Sequence, residues 1–371
     1  MTIKVWDYLD EYEGEKEDIL AAVDRVFSSG TLVLGNSVKS FESEFSAYCG
    51  VRFGVGVDNA TNGIFLALKA LNIGVGDEVI TVSNTAVPTV SAIVQSGATP
   101  KFVDICHDTA LMDVAKIESL ITPKTRCIIP VHLYGQCVDM DFLIRLAKRY
   151  DLRIIEDCSQ SHGALYGQQR AGSMGDMGVF SFYPTKPLGG FGDGGFITTN
   201  NINLDERLRS LRFYGMKGVY YAEETGYNSR LDEVQAEILR YKLTRLDGYI
   251  LRRQRIAERY NKILLGTTLE LPKVQPGNSH VYYVYVVRHR KRDEILDELK
   301  KKDIFLNISY PWPIHLMRGY SYLGGREGDL PCTEAISKSI FSLPMYPSLT
   351  EEMQKETCHA LGKVLGEKVN L

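Results

Sequence analysis

Short apolar runs alternate with helical patterns between residues 53 and 199, and this alternation constrains the fold more than any other feature of the chain. Phe53–Val57, Val79–Val82, Arg126–Val131, Arg153–Ile155, Val179–Phe182 and Gly195–Thr199 read as buried strands, with a shorter start at Phe102–Val103. Thr61–Leu71, Pro88–Gln95 and Asp141–Tyr150 carry apolar residues at helical spacing between them. Strands buried on both faces lose the alternation of polar and apolar residues, and intervening helices supply the crossovers that parallel pairing needs. The pattern predicts an open, mostly parallel α/β sheet flanked by helices.

Two amphipathic helices are expected ahead of the sheet, over residues 15–28 and 37–48. Beyond it, a charged helical stretch covers residues 231–263, and the texture then changes. Val281–Val287 and Phe305–Ser309 read as strands, Arg292–Lys302 and Ser348–Lys368 as helices. The expected division is a large α/β domain over residues 1–245 and a smaller C-terminal α+β domain over residues 246–371.

Composition removes several function classes. Of the 371 residues 44% are hydrophobic and 24% charged, ordinary values for a folded globular chain rather than a disordered one. The net charge of −3 lacks the basic excess of a nucleic-acid binder. Seven scattered cysteines without a CxxC pair argue against a disulfide framework and for a reduced cytoplasmic setting. No Cys/His spacing suits a metal. Residues 1–18 lack an apolar signal core, and no run reaches the roughly 18 apolar residues of a membrane span.

Open α/β sheets bind ligands at the carboxyl ends of their strands. Four polar groups follow strands here: Asn59-Ala60-Thr61, the run Glu156 to His162, the run Ser181 to Lys186, and the glycine-rich run Gly189 to Gly195. Taken singly, each has an ordinary reading as a helix cap, a turn or a solvated lysine. The glycine run does not fit GxxxxGK[ST]. Together they describe one site. A helix start with the hydroxyls of Thr61 and Ser181 suits a phosphate. Asp157 suits a pyridinium nitrogen, and Lys186 suits a Schiff base. That set is what pyridoxal 5'-phosphate (PLP) requires.

The stretches EDCSQSHGA (156–164) and SFYPTKPLGGFGDGG (181–195) resemble two signatures of the DegT/DnrJ/EryC1/StrS sugar aminotransferases, a family of fold-type I PLP enzymes. GDEVI (76–80), FVDI (102–105), PVHLYGQ (130–136), YNSRLDEVQAEILRYKL (227–243) and SLPMYPSLT (342–350) extend the resemblance over almost the whole chain. It implies an aspartate aminotransferase-like fold, with a large mixed sheet and a smaller C-terminal α+β domain. It implies Lys186 as the Schiff-base lysine and proton shuttle, and Asp157 as the partner of the ring nitrogen. Gln160 would bond the ring hydroxyl. Ala60, Thr61 and Ser181 would hold the phosphate, with Asn228 reaching it from a second subunit, hence a homodimer with shared sites. Two positions depart from the family pattern. Ala86 stands where an aromatic residue often stacks on the ring, and the phosphate turn reads Asn-Ala-Thr.

Because the lysine is kept, the resemblance implies transamination from L-glutamate, through pyridoxamine 5'-phosphate, to a nucleotide-linked keto-sugar. The SFYPTK and GDGG forms favour a dTDP-linked 3-keto-6-deoxyhexose. The alternatives are a 4-keto substrate, or a regulatory relative that binds PLP or a sugar nucleotide without turnover. Tyr183, Tyr214, Tyr310 and His315 are the candidate substrate contacts. Cys158 is read as a packing residue and His162 as a structural one.

Overall fold

The computed structural model describes all residues except Met1 and Val219. Two helices open the chain, α1 (Leu9–Ser29) and α2 (Asn36–Cys49), each closed by a left-handed glycine, Gly30 and Gly50. They lead into β1 (Phe53–Val57), α3 (Ala60–Ala70), β2 (Glu78–Val82), α4 (Val87–Ser96), β3 (Thr99–Val103), β4 (Thr125–Ile128), α5 (Met140–Tyr150) and β5 (Arg153–Asp157). A small hairpin, β6 (Leu165–Tyr166) with β7 (Gln169–Arg170), precedes β8 (Met177–Ser181) and β9 (Gly195–Thr199).

Seven strands form one sheet in the order β1-β9-β8-β5-β4-β2-β3. β9 runs antiparallel to both its neighbours, and the other pairings are parallel. The carboxyl ends of all strands except β9 therefore face the same way. One face of the sheet is covered by α3, whose Ile64, Leu66 and Leu68 pack with Val79, Val179 and Ile197. Helix and strands approach closely at Gly63, where a Cβ would lie 2.8 Å from Val179. On the other face, Phe41 and Phe45 of α2 pack edge-on against Phe180, Phe182 and Phe196.

Helix α6 (Ile202–Leu211), for which no helix was expected, follows β9. The charged stretch 231–263 is two helices, α7 (Glu233–Leu243) and α8 (Leu246–Ile263), not one. The second sheet pairs β10 (Tyr285–Arg288) with β11 (Ile340–Leu343). α9 (Arg292–Lys300) and α10 (Pro331–Ser337) lie between these strands in sequence, and α11 (Glu351–Leu365) follows them. The expected strand at Val281 starts late, because Tyr282 has φ +50° and the amides of Val281 and Tyr283 bond the carbonyls of Gly135 and Tyr134. Phe305–Ser309 forms no strand, only isolated bridges nearby, Ile304 to Ile3 and Asn307 to Ser342. Ile3 thereby joins the core built by Tyr260, Tyr285, Phe341 and Leu361. No helix among the described residues is long and apolar enough to cross a membrane.

β1 is an edge strand, and an unpaired edge invites unwanted pairing. Its outward groups are closed by charge. Glu42 accepts the Gly56 amide at 2.9 Å and ion-pairs with Arg209 and Arg212. The two arginines in turn donate to the carbonyls of Gly54 and Gly56. The Glu42 and Arg212 side chains are only 6% and 7% exposed. Removing one member of a buried ion pair typically costs about 3 kcal/mol, since its partner stays buried and unpaired. Glu42→Ala is therefore expected to lower the urea-unfolding free energy by about that amount. An unchanged unfolding midpoint would show that the clamp does not hold the edge.

Candidate active site

A cavity of about 320 Å³ opens at the carboxyl ends of β1, β2, β5 and β8. Ala60, Thr61, Asp157, Gln160, Ser181, Tyr183 and Lys186 all line it. The chain brings them together from three stretches that are far apart in sequence.

One end of the cavity suits an anion. Asn59 caps α3 by accepting the Asn62 amide at 2.8 Å, so the first N–H groups of an 11-residue helix face the cavity beside Thr61 and Ser181. Gly195 makes this arrangement possible. A Cβ there would lie 2.5 Å from the Asn59 carbonyl carbon and 2.8 Å from the Ala60 nitrogen. The glycine lets β9 pass directly against the helix start.

The floor of the cavity carries Asp157, 4% exposed. Its carboxylate accepts from Thr89 Oγ1 at 2.7 Å, Ser159 Oγ at 2.6 Å and Ser159 N at 3.1 Å. Thr85 Oγ1 extends the chain, 3.1 Å from Thr89 Oγ1. A carboxylate oxygen has room for more than one donor, so Asp157 can still receive an N–H from the cavity. Gln160 is tied on both sides: its Oε1 accepts the Tyr134 amide at 2.8 Å, and its Nε2 donates to the Tyr310 hydroxyl at 2.6 Å. Tyr310 thus stands behind Gln160. Burial pushes its hydroxyl well above the usual tyrosine range.

Lys186 rides a tight loop after β8. Its amide donates to the Tyr183 carbonyl, and Gly190 N returns to the Phe182 carbonyl. A Cβ on Gly189 would lie 2.4 Å from the Pro184 oxygen. Gly189 thus lets the loop fold back closely on Pro184. Lys186 Nζ sits 4.4 Å from the centre of the Tyr283 ring. Ala86 lines the cavity with Thr85 and Pro88, and offers no ring to stack.

Four expected contacts lie off the cavity wall in this chain, Tyr310 behind Gln160 among them. Tyr214 is 43% exposed, on a loop tied through its amide to the Tyr227 carbonyl. Asn228 is exposed and bridges Phe213, away from the cavity wall. His315 is buried and does not line the cavity. Its Nδ1 lies 2.8 Å from Ser83 Oγ, which also accepts the His315 amide, and its Nε2 lies 3.2 Å from Glu334. It anchors the loop that carries Thr85 and Ala86. Thr85, Thr89, Ser159, Thr185, Asp193 and Tyr283 line the cavity without having been singled out from the sequence. Ser159 was legible inside the EDCSQ motif. Thr89 was not, since it lies 68 residues from the carboxylate it serves.

Behind Asp157, the side chains of His132, Glu156 and Cys158 converge closely enough for a metal. Hydrogen bonds occupy His132 and Glu156. Glu156 accepts from the amides of Gly172, Met174 and Gly175, and meets His132 Nε2 at 2.9 Å. The Val138 amide donates to His132 Nδ1, which places the ring proton on Nε2.

Residues 13–362 match the DegT/DnrJ/EryC1/StrS aminotransferase family. The chain is 54% identical over 371 residues to the dTDP-3-amino-3,4,6-trideoxy-alpha-D-glucose transaminase of Micromonospora megalomicea subsp. nigra, covering 98% of this chain and 99% of that one. It is 42% identical to the pleiotropic regulatory protein of Geobacillus stearothermophilus, with 96% of each chain covered. The crystal structure of S. venezuelae DesV in complex with a ketimine intermediate superposes with a TM-score of 0.96, at 40% identity and 98% coverage of both chains.

His162, from the same motif as Asp157, packs among the rings of Phe45, Phe180 and Phe182. Burial, with the nearby Lys186 ammonium acting in the same direction, pushes its pKa down to about 3. The unfolded chain takes up this proton near pH 6.5 and the folded chain near 3. The contribution of a neutral His162 to stability is complete above the unfolded value and is lost as pH falls toward the folded one. His162→Phe should thus flatten the fall in Tm between about pH 6.5 and 3. An identical slope in both proteins would overturn the assignment.

Proposed function

We infer that this chain, which belongs to the DegT/DnrJ/EryC1/StrS aminotransferase family, takes L-glutamate as amino donor and a dTDP-linked 3-keto-6-deoxyhexose as acceptor. It is a PLP-dependent sugar aminotransferase. The observation that carries the substrate reading is the identity of 54% along nearly the full length to a protein named dTDP-3-amino-3,4,6-trideoxy-alpha-D-glucose transaminase. The site fits the cofactor on its own terms: an anion cradle at α3, a buried carboxylate and an amine face one cavity.

When bound, PLP supplies an electron sink and a carrier for the amino group. The chain supplies the rest. Ala60 and Thr61 N–H groups with the Thr61 and Ser181 hydroxyls hold the phosphate. Asp157, oriented by Thr89 and Ser159, accepts the ring N–H and keeps that proton in place. Gln160, fixed by Tyr134 and Tyr310, is the neighbour of the ring hydroxyl. Lys186 holds the cofactor between turnovers. Once released, it takes the proton from the glutamate α-carbon and later returns one to the sugar C3. Tyr183, half exposed at the rim, is a sugar contact.

We also propose the division at residue 245, because Tyr260, Tyr285 and Phe341 form a core separate from those of the seven-stranded sheet. The chain works as a homodimer in a reduced cytoplasm, a setting consistent with seven unpaired cysteines. Asn228 and Tyr214 serve the partner's cavity.

Borohydride reduction of the PLP-loaded protein should fix the cofactor mass on the Lys186 peptide, and Lys186→Ala should lose both the label and at least about 10³-fold in kcat. Label on another lysine would refute the role. Glutamate should give one equivalent of 2-oxoglutarate per site, and product NMR should place nitrogen at C3. Nitrogen at C4 would transfer the enzyme to the 4-keto branch, and no 2-oxoglutarate would make it a binder like a regulatory relative.

Mixing Lys186→Ala with Asn228→Ala subunits tests the shared site. Each variant alone is expected to be impaired, and the mixed dimer regains one intact site with Lys186 from one chain and Asn228 from the other. No recovery on mixing would place Asn228 outside the site.

A further inference from the structure

Lys186 must do two things during one turnover. It holds the cofactor, and it is then set free as an amine that carries a proton. A free lysine on a four-carbon stem samples many rotamers. Something must keep its Nζ near the reacting carbon. The structure puts an aromatic face there. The Nζ lies 4.4 Å from the Tyr283 ring centre, within the range at which a ring quadrupole attracts a cation.

Tyr283 is held at three points, one on its side chain and two on its backbone. Its hydroxyl lies 3.0 Å from Thr185 Oγ1, on the residue before the lysine. Its amide donates to the Tyr134 carbonyl at 3.0 Å, and its carbonyl accepts from Arg253 Nη1 at 3.2 Å. Arg253 is 2% exposed and also donates to the carbonyls of Tyr282 and Met345. The left-handed Tyr282 turns the chain at this point. A strand through Val281–Val287 would have spent these backbone groups on a neighbouring strand. The late start of β10 leaves them to fix the ring.

We propose that Tyr283 is the positioning residue for the released Lys186: its ring face receives the ammonium while the amino group is on the cofactor. This rests on Lys186 being the cofactor lysine. Arg253 acts one step further out, by holding the Tyr283 backbone.

The test separates the two claims. Cofactor-free protein is labelled with acetic anhydride across a pH series, and labelling of the Lys186 peptide is followed by mass spectrometry. Position 283 carries Tyr, then Tyr283→Phe, then the same ring progressively fluorinated, which keeps its shape while emptying its face of negative charge. Tyr283→Phe is expected to keep the labelling midpoint. Fluorination is expected to lower it stepwise, by about half a pH unit or more for the fully fluorinated ring. The alkaline limb of the kcat profile should move to lower pH in the same order, with KM for the keto-sugar unmoved. A midpoint that ignores fluorination overturns the role of Tyr283 while leaving Lys186 in place. Borohydride label absent from Lys186 in the unaltered protein overturns the underlying reading instead.

Discussion

The end of β5 is the constraint on which the site depends. Successive side chains of a strand point to opposite faces. Glu156 and Asp157 are adjacent, so one carboxylate is committed to the back of the sheet and the other to the cavity. Glu156 takes the amides of Gly172, Met174 and Gly175, in the turn that enters β8. β8 then delivers Ser181 and the loop bearing Lys186. Asp157 meets Thr89 from α4 and Ser159 from its own loop. One dipeptide thus sets the spacing between the Asp157 carboxylate and the Lys186 amine. A shift of register by one residue would exchange the two carboxylates and destroy both arrangements.

The same device recurs outside the site. Glu233 of α7 accepts the amides of Gly35, Ser37 and Val38 at the start of α2, a helix with no side-chain cap of its own. Asp104, after β3, accepts the amides of Cys332 and Thr333 at the start of α10. Burial alone would raise the Asp104 pKa, but the amides of Thr333, Ile105 and Cys332 outweigh it and hold the carboxyl below its ordinary range. Helix starts need acceptors for unpaired N–H groups. Supplying them from a distant carboxylate joins elements that local capping would leave independent. Asp104 in this way connects the seven-stranded sheet to the region that carries β11.

Much of the sheet was legible because its strands are short, apolar and bounded by turns. β1 and β9 matched their expected limits residue for residue. The same logic failed for Val281 and Phe305, where β-branched and aromatic runs satisfy their backbone through isolated bridges and distant carbonyls. Periodicity reports which side chains are buried, and it does not report what the amides bond. The site was legible where its residues sit in one motif, as with Asp157 and Gln160. It was not legible for Thr85, Thr89 or Tyr283, which are ordinary residues until the fold places them. His315 shows the converse, since a conspicuous residue proved to be a buried tie beneath the cavity loop.

The sequence by itself determined the α/β class, the strand ends at which chemistry could occur and the Lys186–Asp157 pair, because hydrophobic period and motif spacing are local properties. Tertiary structure alone decided that the glycines pack helix α3 against β9, that His315 lies behind the wall, and that Tyr283 faces the lysine amine. Those outcomes depend on distances between residues tens to hundreds of positions apart. Such distances are fixed by the close packing of the whole chain, not by any stretch of it.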